Sequence, residues 1–476
     1  MSIRRILTLL LPCVLCLGGA ARADAVDDYM REALQRAKIP GASVLIIRGG
    51  EVRKAQGYGF ANVELQVPAS AATIYQSGST GKQFTAAGIL LLVEAGKLSL
   101  DDKLATFFDG APAAWQRITI RQLLTHTSGI RDYENSPDID LRKDYDEAAL
   151  LEVMKRLPQD FEPGSQWSYS NSGYLILGLI TSKLSGMHWS DYQAQVLFKP
   201  LGMKTTRVIS ESDIVMNRAA GYELDAAGSL KNQEWVAPSL NRCADGALYY
   251  SVLDLAAWDA ALKAGRFLSP VSRAAWMTPV KLNDGSTYQY GFGWDINEQR
   301  GRRLIEHGGS WQGFRTQISR YVDDDLSVMV LTNLASAEPG QLAHDIAGLV
   351  EPRLALPDPG SVRRDPDAAR SERLKKVLRA WAEGRVDASM AVGLSHTATN
   401  TAAEAAWRRK TGEQLQAMTA WNFLGEDRIG PQPLIWRNEP VTRIAHYAML
   451  SGATRHVYRF YLTERGKVAD FSVEER

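Results

Sequence analysis

Apolar positions change their spacing along the chain, and each spacing predicts a kind of element. Helical spacing covers residues 26–37, a continuous apolar run at 42–48 predicts a buried strand, and 51–57 follows a Gly-Gly turn as its hairpin partner. Helical spacing dominates from 118 to 262, and strand patterns return from 290 to 331. This order predicts an α+β fold: an antiparallel sheet built from both ends of the domain and flanked by helices, with an all-helical lobe opposite. The predicted helices of the insert are 120–124, 148–157, 174–184 and 253–262, the later strands are 290–296, 304–307, 315–321 and 326–331, and a closing helix covers 345–350.

Proline and charge become more frequent after this closing helix, which predicts a linker at residues 352–366. Beyond it, the pattern predicts two helices and then three strands separated by short glycine turns. We therefore expect an antiparallel meander in a separate small α+β domain at 367–476. A cone-shaped fold resembling the nuclear transport factor family is one candidate for it. The predicted helices lie near 374–381 and 405–418, and the strands at 444–450, 456–463 and 468–473.

Residues 86–93 are apolar on nearly every side, which predicts a helix that passes through the interior. Ser79 and Lys82 lie at its start, three residues apart and therefore on one face. A serine needs a neighbouring base to attack a carbonyl at neutral pH, and burial lowers the pKa of a lysine toward that role. The free N–H groups of the helix start would favour an oxyanion. The same Ser-x-x-Lys spacing is also typical of a capping serine beside a solvated lysine, so other motifs must support it.

The composition of the first residues predicts where the protein is located. The 476 residues carry a formal charge of +1, and two arginines precede a short apolar run at 6–17 and an Ala-Arg-Ala sequence. This is the layout of a signal peptide at 1–23 that is cleaved after Ala23, so we expect a periplasmic or secreted protein. The apolar run is too short to span a bilayer comfortably, and no transmembrane anchor should remain after cleavage. The mature chain would be nearly neutral, which argues against nucleic acid as a partner, and would keep only Cys243, which allows no internal disulfide.

Two further motifs could complete a catalytic site. Tyr169 and Asn171 stand just ahead of the helix pattern at 174–184. A nearby cation would favour the tyrosine phenolate and make it a usable base, and the asparagine amide could bind a substrate carbonyl. The sequence His307-Gly308-Gly309-Ser310 leads out of a predicted strand, where glycines allow a close backbone approach and the Ser310 N–H could point at a bound oxygen. Alternatively, the first motif is a helix cap with a packed ring and the second is a β-bulge with an edge histidine.

Taken together and in this order, the three motifs resemble the serine β-lactamase and penicillin-binding protein superfamily. The similarity is to the group that contains class C β-lactamases, D-Ala-D-Ala carboxypeptidases, D-aminopeptidases and related esterases. The stretches at 118–130, 161–165, 200–203 and 290–294 look like that group too. The resemblance covers residues 26–350 and implies a β-lactamase/transpeptidase-like hydrolase domain at 24–351.

The resemblance also implies a role for each matching residue. Ser79 would be the acylated nucleophile, Lys82 would help to deprotonate it, Tyr169 would be the base and later the acid, and Asn171 would orient the substrate. Lys82 and Tyr169 should titrate as a coupled pair, so the sequence leaves open which of them takes the first proton. No cofactor is implied, and the seven histidines show no paired metal-ligand spacing, so no metal is expected.

On the glycine-rich strand, His307, Gly309 and Ser310 would bind substrate, and the N–H groups of Ser79 and Ser310 would form an oxyanion hole. Many β-lactamases carry Lys-Thr-Gly where this chain has His307-Gly308-Gly309. Histidine is only partly charged at neutral pH, and Gly308 lacks the hydroxyl that would help to bind a substrate carboxylate. We therefore expect an exported peptidase or esterase acting on a small molecule or short peptide. A β-lactamase and a slowly acylated penicillin-binding sensor module are the alternatives, and the sequence leaves the oligomeric state open.

Overall fold

The computed structural model describes residues 17–475 except 138, 211, 362, 392–401, 433–440 and 453. Most of the predicted signal peptide, residues 1–16, lies outside the described residues. The first helix runs over Leu17–Ala37 and so begins earlier than the predicted 26–37. None of the helices in the described ranges combines the length and the apolar character needed to cross a bilayer.

The region at 24–351, for which the sequence predicts a hydrolase domain, is built on one antiparallel sheet with several short strands around it. Its strands are β1 (Gly41–Arg48), β2 (Glu51–Asn62), β3 (Val67–Pro68), β4 (Tyr75–Gln76), β5 (Tyr222–Leu224), β6 (Leu230–Asn232), β7 (Tyr249–Tyr250), β8 (Val280–Lys281), β9 (Thr287–Tyr288), β10 (Asp295–Gln299), β11 (Arg302–Trp311), β12 (Phe314–Tyr321) and β13 (Leu326–Thr332). The main sheet has seven strands in the order β10-β11-β12-β13-β1-β2-β3. The first strand pairs with the last, β1 with β13, which confirms the prediction of a sheet built from both ends of the region.

Side chains of β1 alternate between two hydrophobic cores because successive residues of a strand point to opposite faces. Leu45 and Ile47 pack into the core shared with the helical lobe. Val44 and Ile46 pack on the other face, in a core that includes residues of the first and the closing helix. A strand buried on both faces reads as a continuous apolar run, as this one does.

The helices of the region are α1 (Leu17–Ala37), α2 (Lys82–Glu94), α3 (Ile120–Leu124), α4 (Glu147–Arg156), α5 (Asn171–Ser185), α6 (Trp189–Gln193), α7 (Lys199–Leu201), α8 (Val252–Ala264), α9 (Pro270–Trp276) and α10 (Pro339–Val350). Helix α2 is buried on nearly all sides, as its sequence predicts, and a 3₁₀ turn at Gly78–Gly81 leads into it. The Ser79–Lys82 motif therefore lies at the start of a helix that the surrounding core holds in place.

The predicted strand at 290–296 begins later than expected, at Asp295. Gly293 has φ +76°, and a Cβ atom there would lie 2.8 Å from the backbone of Lys82 and Gln83. This glycine-rich stretch therefore packs against the start of α2 instead of extending the sheet, because only glycine allows such a close approach.

A separate C-terminal sheet follows the hydrolase region. It contains β14 (Ala420–Gln432), β15 (Val441–Ser451), β16 (Thr454–Thr463) and β17 (Val468–Glu475), in that order and antiparallel, together with helices α11 (Ala368–Ala382) and α12 (Ala402–Gln416). The predicted meander is confirmed, and β14 is an additional strand. Asp427 on β14 accepts a hydrogen bond from the backbone N–H of Arg300 in the β10–β11 turn at 2.8 Å, which joins this domain to the main sheet. The exact domain boundaries and the cone shape stay predictions.

Candidate active site

Ser79 lies in the 3₁₀ turn ahead of α2, and close backbone packing places this turn against β11. Gly78 has φ +54°, and a Cβ atom there would lie 2.4 Å from the backbone nitrogen of Ser310. A Cβ atom on Gly309 would lie 2.0 Å from the carbonyl oxygen of Ser77. Both glycines are therefore required by the contact, which brings the Ser310 N–H next to the Ser79 turn.

Hydroxyl groups beneath the turn hold it in this position. Thr80 Oγ1 and Thr316 Oγ1 both donate to the Ser77 carbonyl, at 2.8 and 2.6 Å. Thr80 also contacts the hydroxyl of Tyr250 on β7. Because Thr316 lies on β12 and Tyr250 on β7, the turn is fixed to the sheet and to the lobe at once.

Lys82 is the first residue of α2, and its amine is fully buried in a polar pocket. Nζ lies 3.1 Å from Ser79 Oγ, 2.6 Å from Asn171 Oδ1 and 2.7 Å from the Asp245 carbonyl oxygen. Burial lowers the pKa of Lys82, and the nearby Asp245 carboxylate acts in the opposite direction. A neutral amine fits all three contacts, because it can donate to the two acceptor oxygens and accept the Ser79 hydroxyl proton.

Tyr169 lies over the same amine, with Lys82 Nζ 4.8 Å from the ring centroid. Its hydroxyl is buried and has no hydrogen-bond partner of standard geometry among the described residues. Burial raises the pKa of Tyr169 well above 10, and the nearby Ser79 hydroxyl offsets only part of that effect. Burial therefore favours the protonated phenol over the expected phenolate in the resting site.

Asn171 begins α5 and connects Lys82 to a carboxylate. Its Oδ1 accepts from Lys82, while its backbone N and Nδ2 both donate to Asp132 Oδ2, at 3.2 and 3.1 Å. The contacts fix the orientation of the amide, and one Nδ2 hydrogen remains for a substrate carbonyl.

A chain of neutral side chains forms one side of the site. Its hydrogen bonds run from the Ser170 N–H to His126 Nδ1 (3.1 Å), from His126 Nε2 to the Tyr290 hydroxyl (3.2 Å), and from that hydroxyl to His307 Nε2 (3.0 Å). His307 Nδ1 donates to the Gly308 carbonyl at 2.6 Å. This order of donors and acceptors is complete when both imidazoles are neutral. We call His126, Tyr290 and His307 the neutral wall.

The pKa values of the neutral wall agree with its hydrogen bonds. Burial, reinforced by the nearby Lys82, lowers the pKa of His307 to about 4 and that of His126 well below 6.5. His307 is 4% exposed and both of its ring nitrogens are occupied. It therefore lies behind the site rather than in contact with it, and we assign it a positioning role in place of substrate binding.

The opposite side of the site is acidic. Asp132, Glu134 and Asp245, which we call the acidic wall, are carboxyl groups close to Lys82. Asp245 is buried, and Asp132 and Glu134 are half-buried. Burial raises the pKa of all three, to about 8 for Glu134, where the neighbouring Asp245 and Asp132 add to the effect. Tyr133 donates its hydroxyl proton to Asp245 Oδ2 at 2.8 Å.

A small cleft opens beside Ser79. It is lined by Gly78, Ser79, Tyr133, Glu134, Asn171, Leu240, Asp245, Gly246, Ser310 and Trp311. The structure thus brings together Ser79, Lys82, Tyr169, Asn171, Gly309 and Ser310. Within the described ranges, no group of three or more His, Cys, Asp and Glu side chains is arranged to hold a metal ion.

The acidic wall could not be predicted from the sequence. Asp132 and Glu134 follow the histidine-containing stretch at 118–130, and Asp245 lies two residues after Cys243. Neither segment shows a motif spacing, and the three carboxyls meet only in the folded chain. Charged residues in apolar surroundings, as around Asp245, were the one available signal.

The fold is that of penicillin-binding and β-lactamase-fold proteins. The Beta-lactamase family model matches residues 26–351, more than half of the chain. The protein therefore belongs to the Beta-lactamase family, whose members include serine hydrolases.

Individual relatives agree with this assignment. Penicillin-binding protein 4* of Bacillus subtilis is 33% identical over 309 residues, which cover 61% of this chain and 67% of the relative. A D-aminopeptidase of Brucella anthropi is 30% identical over 317 residues, which cover 65% of this chain and 59% of the relative. The chain thus matches only part of each relative's length.

Among solved structures, the octameric penicillin-binding protein homologue from Pyrococcus abyssi aligns with a TM-score of 0.62 at 22% identity. The alignment covers 95% of this chain and 100% of the other. At this identity the likeness concerns the fold, and it extends through the C-terminal sheet domain.

Proposed function

We propose that the protein is an exported serine hydrolase that cleaves an amide or ester bond through an acyl-enzyme on Ser79. The observation that carries the proposal is the buried Lys82 amine, 3.1 Å from Ser79 Oγ and bonded otherwise to two oxygens that only accept. A neutral lysine in these surroundings is a base directed at the serine hydroxyl.

Acylation begins with the transfer of the Ser79 proton to Lys82 Nζ as Oγ bonds to the substrate carbonyl carbon. The negative charge that develops on the carbonyl oxygen faces the N–H groups of Ser79 and Ser310. Asn171 holds Lys82 and orients the substrate with its second Nδ2 hydrogen.

The intermediate collapses when the bond to the leaving group breaks and the leaving group takes the Tyr169 proton. Tyr169 has a proton to give because burial raises its pKa well above 10, and the Lys82 ammonium then returns its proton to the phenolate. A water molecule next attacks the acyl carbon while Lys82 Nζ accepts its proton. The bond from the carbon to Ser79 Oγ then breaks, and Lys82 returns the proton to Oγ, which restores the neutral amine and the free serine.

Peptidase or esterase activity is favoured over β-lactam hydrolysis. The substrate carboxylate of a β-lactam needs a cation, whereas His307 is neutral, buried and occupied on both nitrogens. Amide chemistry is in keeping with the penicillin-binding protein and the D-aminopeptidase among the relatives. Hydrolysis of nitrocefin at a rate similar to that of an ester would reverse this ranking.

The test is hydrolysis of p-nitrophenyl butyrate together with labelling by a fluorophosphonate. Ser79→Ala should abolish both, while Ser99→Ala, which alters an exposed serine, should change neither. Undiminished turnover by the Ser79 variant would refute the proposal.

The sensor alternative predicts a different time course. Intact mass after incubation with a penicillin should show a transient adduct if the protein is a hydrolase. A persistent adduct without ester turnover would instead support the slowly acylated sensor.

Export is proposed from the composition of the first 23 residues alone. Expression in a Gram-negative host should yield periplasmic protein whose amino terminus is Asp24. Full-length protein confined to the cytoplasm would contradict it.

A further inference from the structure

A second pocket, of about 450 Å³, lies where the hydrolase region meets the C-terminal sheet domain. Its walls come from the β10–β11 turn, the segment after α10, the linker and β14. The pocket is distant from the cleft at Ser79, because it lies at the Arg302 end of β11. Arg302 and Ser310 are near opposite ends of this strand, roughly 26 Å apart at about 3.3 Å per residue. We call it the junction pocket.

Three arginines from three separate segments line the junction pocket. Arg300 lies in the β10–β11 turn, Arg353 in the 3₁₀ turn Pro352–Leu354, and Arg363 in the linker. Arg300 is held in place because its backbone N–H and its Nη1 both donate to Asp427 Oδ1 on β14. Arg363 is exposed, and no carboxylate in the part of the chain that the structure describes lies within ion-pair distance of it.

Arginines outnumber carboxylates on the hydrolase side of the pocket. Glu351 accepts from Arg48 and Arg353 at 2.6 and 2.9 Å, and Asp324 accepts from Arg302 and Arg353 at 2.9 and 3.2 Å. Three guanidinium groups thus share two carboxylates. The hydrogen bond from Arg353, together with the nearby charge of Arg48, lowers the pKa of Glu351 to about 2. The carboxylate is therefore surrounded by an excess of positive charge.

The other carboxylates of these segments do not cancel this excess, because each has its own cation. Asp427 neutralises Arg300. The remaining pairs are Glu426 and Asp365 with Arg370 and Arg443, Asp323 with Arg303, and Asp358 with Arg455. Two positive charges stay unmatched among the described residues, one on Arg363 and one from the three arginines that share two carboxylates.

Apolar groups form another part of the pocket wall. Leu424 is buried in β14, and the half-buried Leu356 packs against the same small core. A guanidinium forms paired hydrogen bonds with phosphate oxygens, and a phosphate monoester carries close to two negative charges above its second pKa of about 6. The charge of such a group equals the unmatched charge of the pocket, and its ester group can lie on the leucines. A carboxylate of similar size supplies only one negative charge.

We propose that the junction pocket binds a small soluble phosphate monoester with an apolar ester group. Arg353 and Arg363 would bind the phosphate oxygens, and Leu356 would contact the ester group. Because the linker, the β10–β11 turn and β14 all line the pocket, a bound ligand should stabilise the contact between the two domains. The proposal is independent of the acyl-enzyme chemistry at Ser79.

The first test is isothermal titration calorimetry of the full chain with phenyl phosphate at pH 8. We expect one phenyl phosphate per chain, bound at least about tenfold more tightly than benzoate. Phenyl phosphate should also raise the unfolding temperature more than an equal concentration of benzoate does. Absence of saturable binding, or equal affinity for the two anions, would overturn the proposal.

The second test assigns the binding to the junction pocket. Arg363→Ala should weaken phenyl phosphate binding by about tenfold, because a charged hydrogen-bond donor is lost. Arg364→Ala is the matched control, since Arg364 is the next residue and also exposed but does not line the pocket. Arg353→Ala should weaken binding as well. Thermal unfolding without ligand establishes that each variant is folded, which we expect for Arg363→Ala because no ion pair of the described residues is broken.

The catalytic cleft is the competing location for the anion. Phenyl phosphate should leave the rate of fluorophosphonate labelling of Ser79 unchanged at concentrations that saturate the calorimetric signal. Slower labelling with the same midpoint as the calorimetric binding would place the anion in the cleft and overturn the proposal. Equal losses of affinity in the Arg363 and Arg364 variants would overturn it too, because they would indicate binding to surface charge in general.

Discussion

The neutral wall and the acidic wall face the same lysine but use their polar atoms differently. In the neutral wall, every ring nitrogen of His126 and His307 has a partner through Tyr290 or the backbone, and burial keeps both rings uncharged. In the acidic wall, burial raises the carboxyl pKa values even though Tyr133 and backbone N–H groups donate to Asp245. The neutral wall thus holds uncharged groups in fixed positions, whereas the acidic wall places titratable groups beside the lysine.

The largest expected effect comes from replacing Lys82, the residue that both walls face. Lys82→Met should lower kcat/KM for p-nitrophenyl butyrate by roughly 10²–10⁴-fold, because the general base is lost. Lys97→Met, which changes an exposed lysine, should have no such effect in the same stopped-flow assay. Comparable activity of the two variants would assign the first proton transfer elsewhere.

Removal of one hydroxyl should disrupt the hydrogen-bond chain of the neutral wall. Tyr290→Phe removes the group between His126 Nε2 and His307 Nε2 and leaves both nitrogens without that partner. The free energy of unfolding in urea should fall by about 1–3 kcal/mol, the cost of an unsatisfied buried polar group. The decrease in kcat should exceed the change in KM, since the wall positions β11 rather than binding substrate.

Tyr192→Phe provides the control for this variant, because the Tyr192 ring is also largely buried but lies in α6, away from the site. Equal stability losses in the two variants would show that the neutral wall does not depend on its central hydroxyl.

The acidic wall can be tested through the pH profile of a neutral ester. Burial lowers the pKa of Lys82, while Glu134 raises it, so Glu134→Gln should lower it further. Because the neutral amine is the active form, kcat/KM rises with pH through this pKa. The ascending limb should therefore move to lower pH. A shift to higher pH, or the same shift in the control Glu32→Gln, which changes an exposed residue of α1, would contradict the assignment.

A smaller effect is expected on the opposite face of β11, where a charged pair is fully satisfied. His344 Nε2 donates to Glu306 Oε2 at 2.8 Å, and Gln317 and Ser319 donate to the same carboxylate. Burial alone would lower the pKa of His344, but Glu306 raises it above 6.5. Burial alone would raise the pKa of Glu306, but His344 and its other donors lower it below 4.5.

The directions of the two pKa shifts define the pH range in which the His344–Glu306 pair stabilises the fold. The histidine contribution is complete below pH 6.5 and is lost as pH rises through the folded pKa, whereas the glutamate contribution is lost as pH falls through its own. His344→Gln should therefore reduce stability most between pH 4.5 and 6.5, by about 1 kcal/mol, and less at pH 9. Gln341→Ala on the same helix should give a difference that does not depend on pH.

Much of the fold could be predicted because apolar spacing fixes which faces are buried. The run at 42–48 and the all-round apolar helix after Ser79 needed no distant information. Strand β14 was missed because Asn422, Gly425 and Asp427 interrupt its pattern, and a bulge lies between Phe423 and Gly425. Asp427 in this strand accepts a hydrogen bond from Arg300, which is far away in the sequence. The local pattern of apolar residues cannot predict such a contact.

Some features of the site could likewise be predicted from the sequence, and others could not. The Ser79–Lys82 pair follows from helix geometry, and the glycines of β11 follow from the close approach that they permit. The protonation states did not follow, because the pKa values of Tyr169 and His307 depend on burial by segments far away in sequence. The acidic wall could not be predicted either, because its three carboxyl groups meet only in the folded chain.

The most direct measurement is intact mass spectrometry of the protein quenched during turnover of p-nitrophenyl butyrate, followed by peptide mapping. The account predicts one butyryl group per chain, on the peptide that contains Ser79, and none in the Ser79→Ala variant. An acyl group on another residue, or steady turnover by the Ser79→Ala variant, would contradict it.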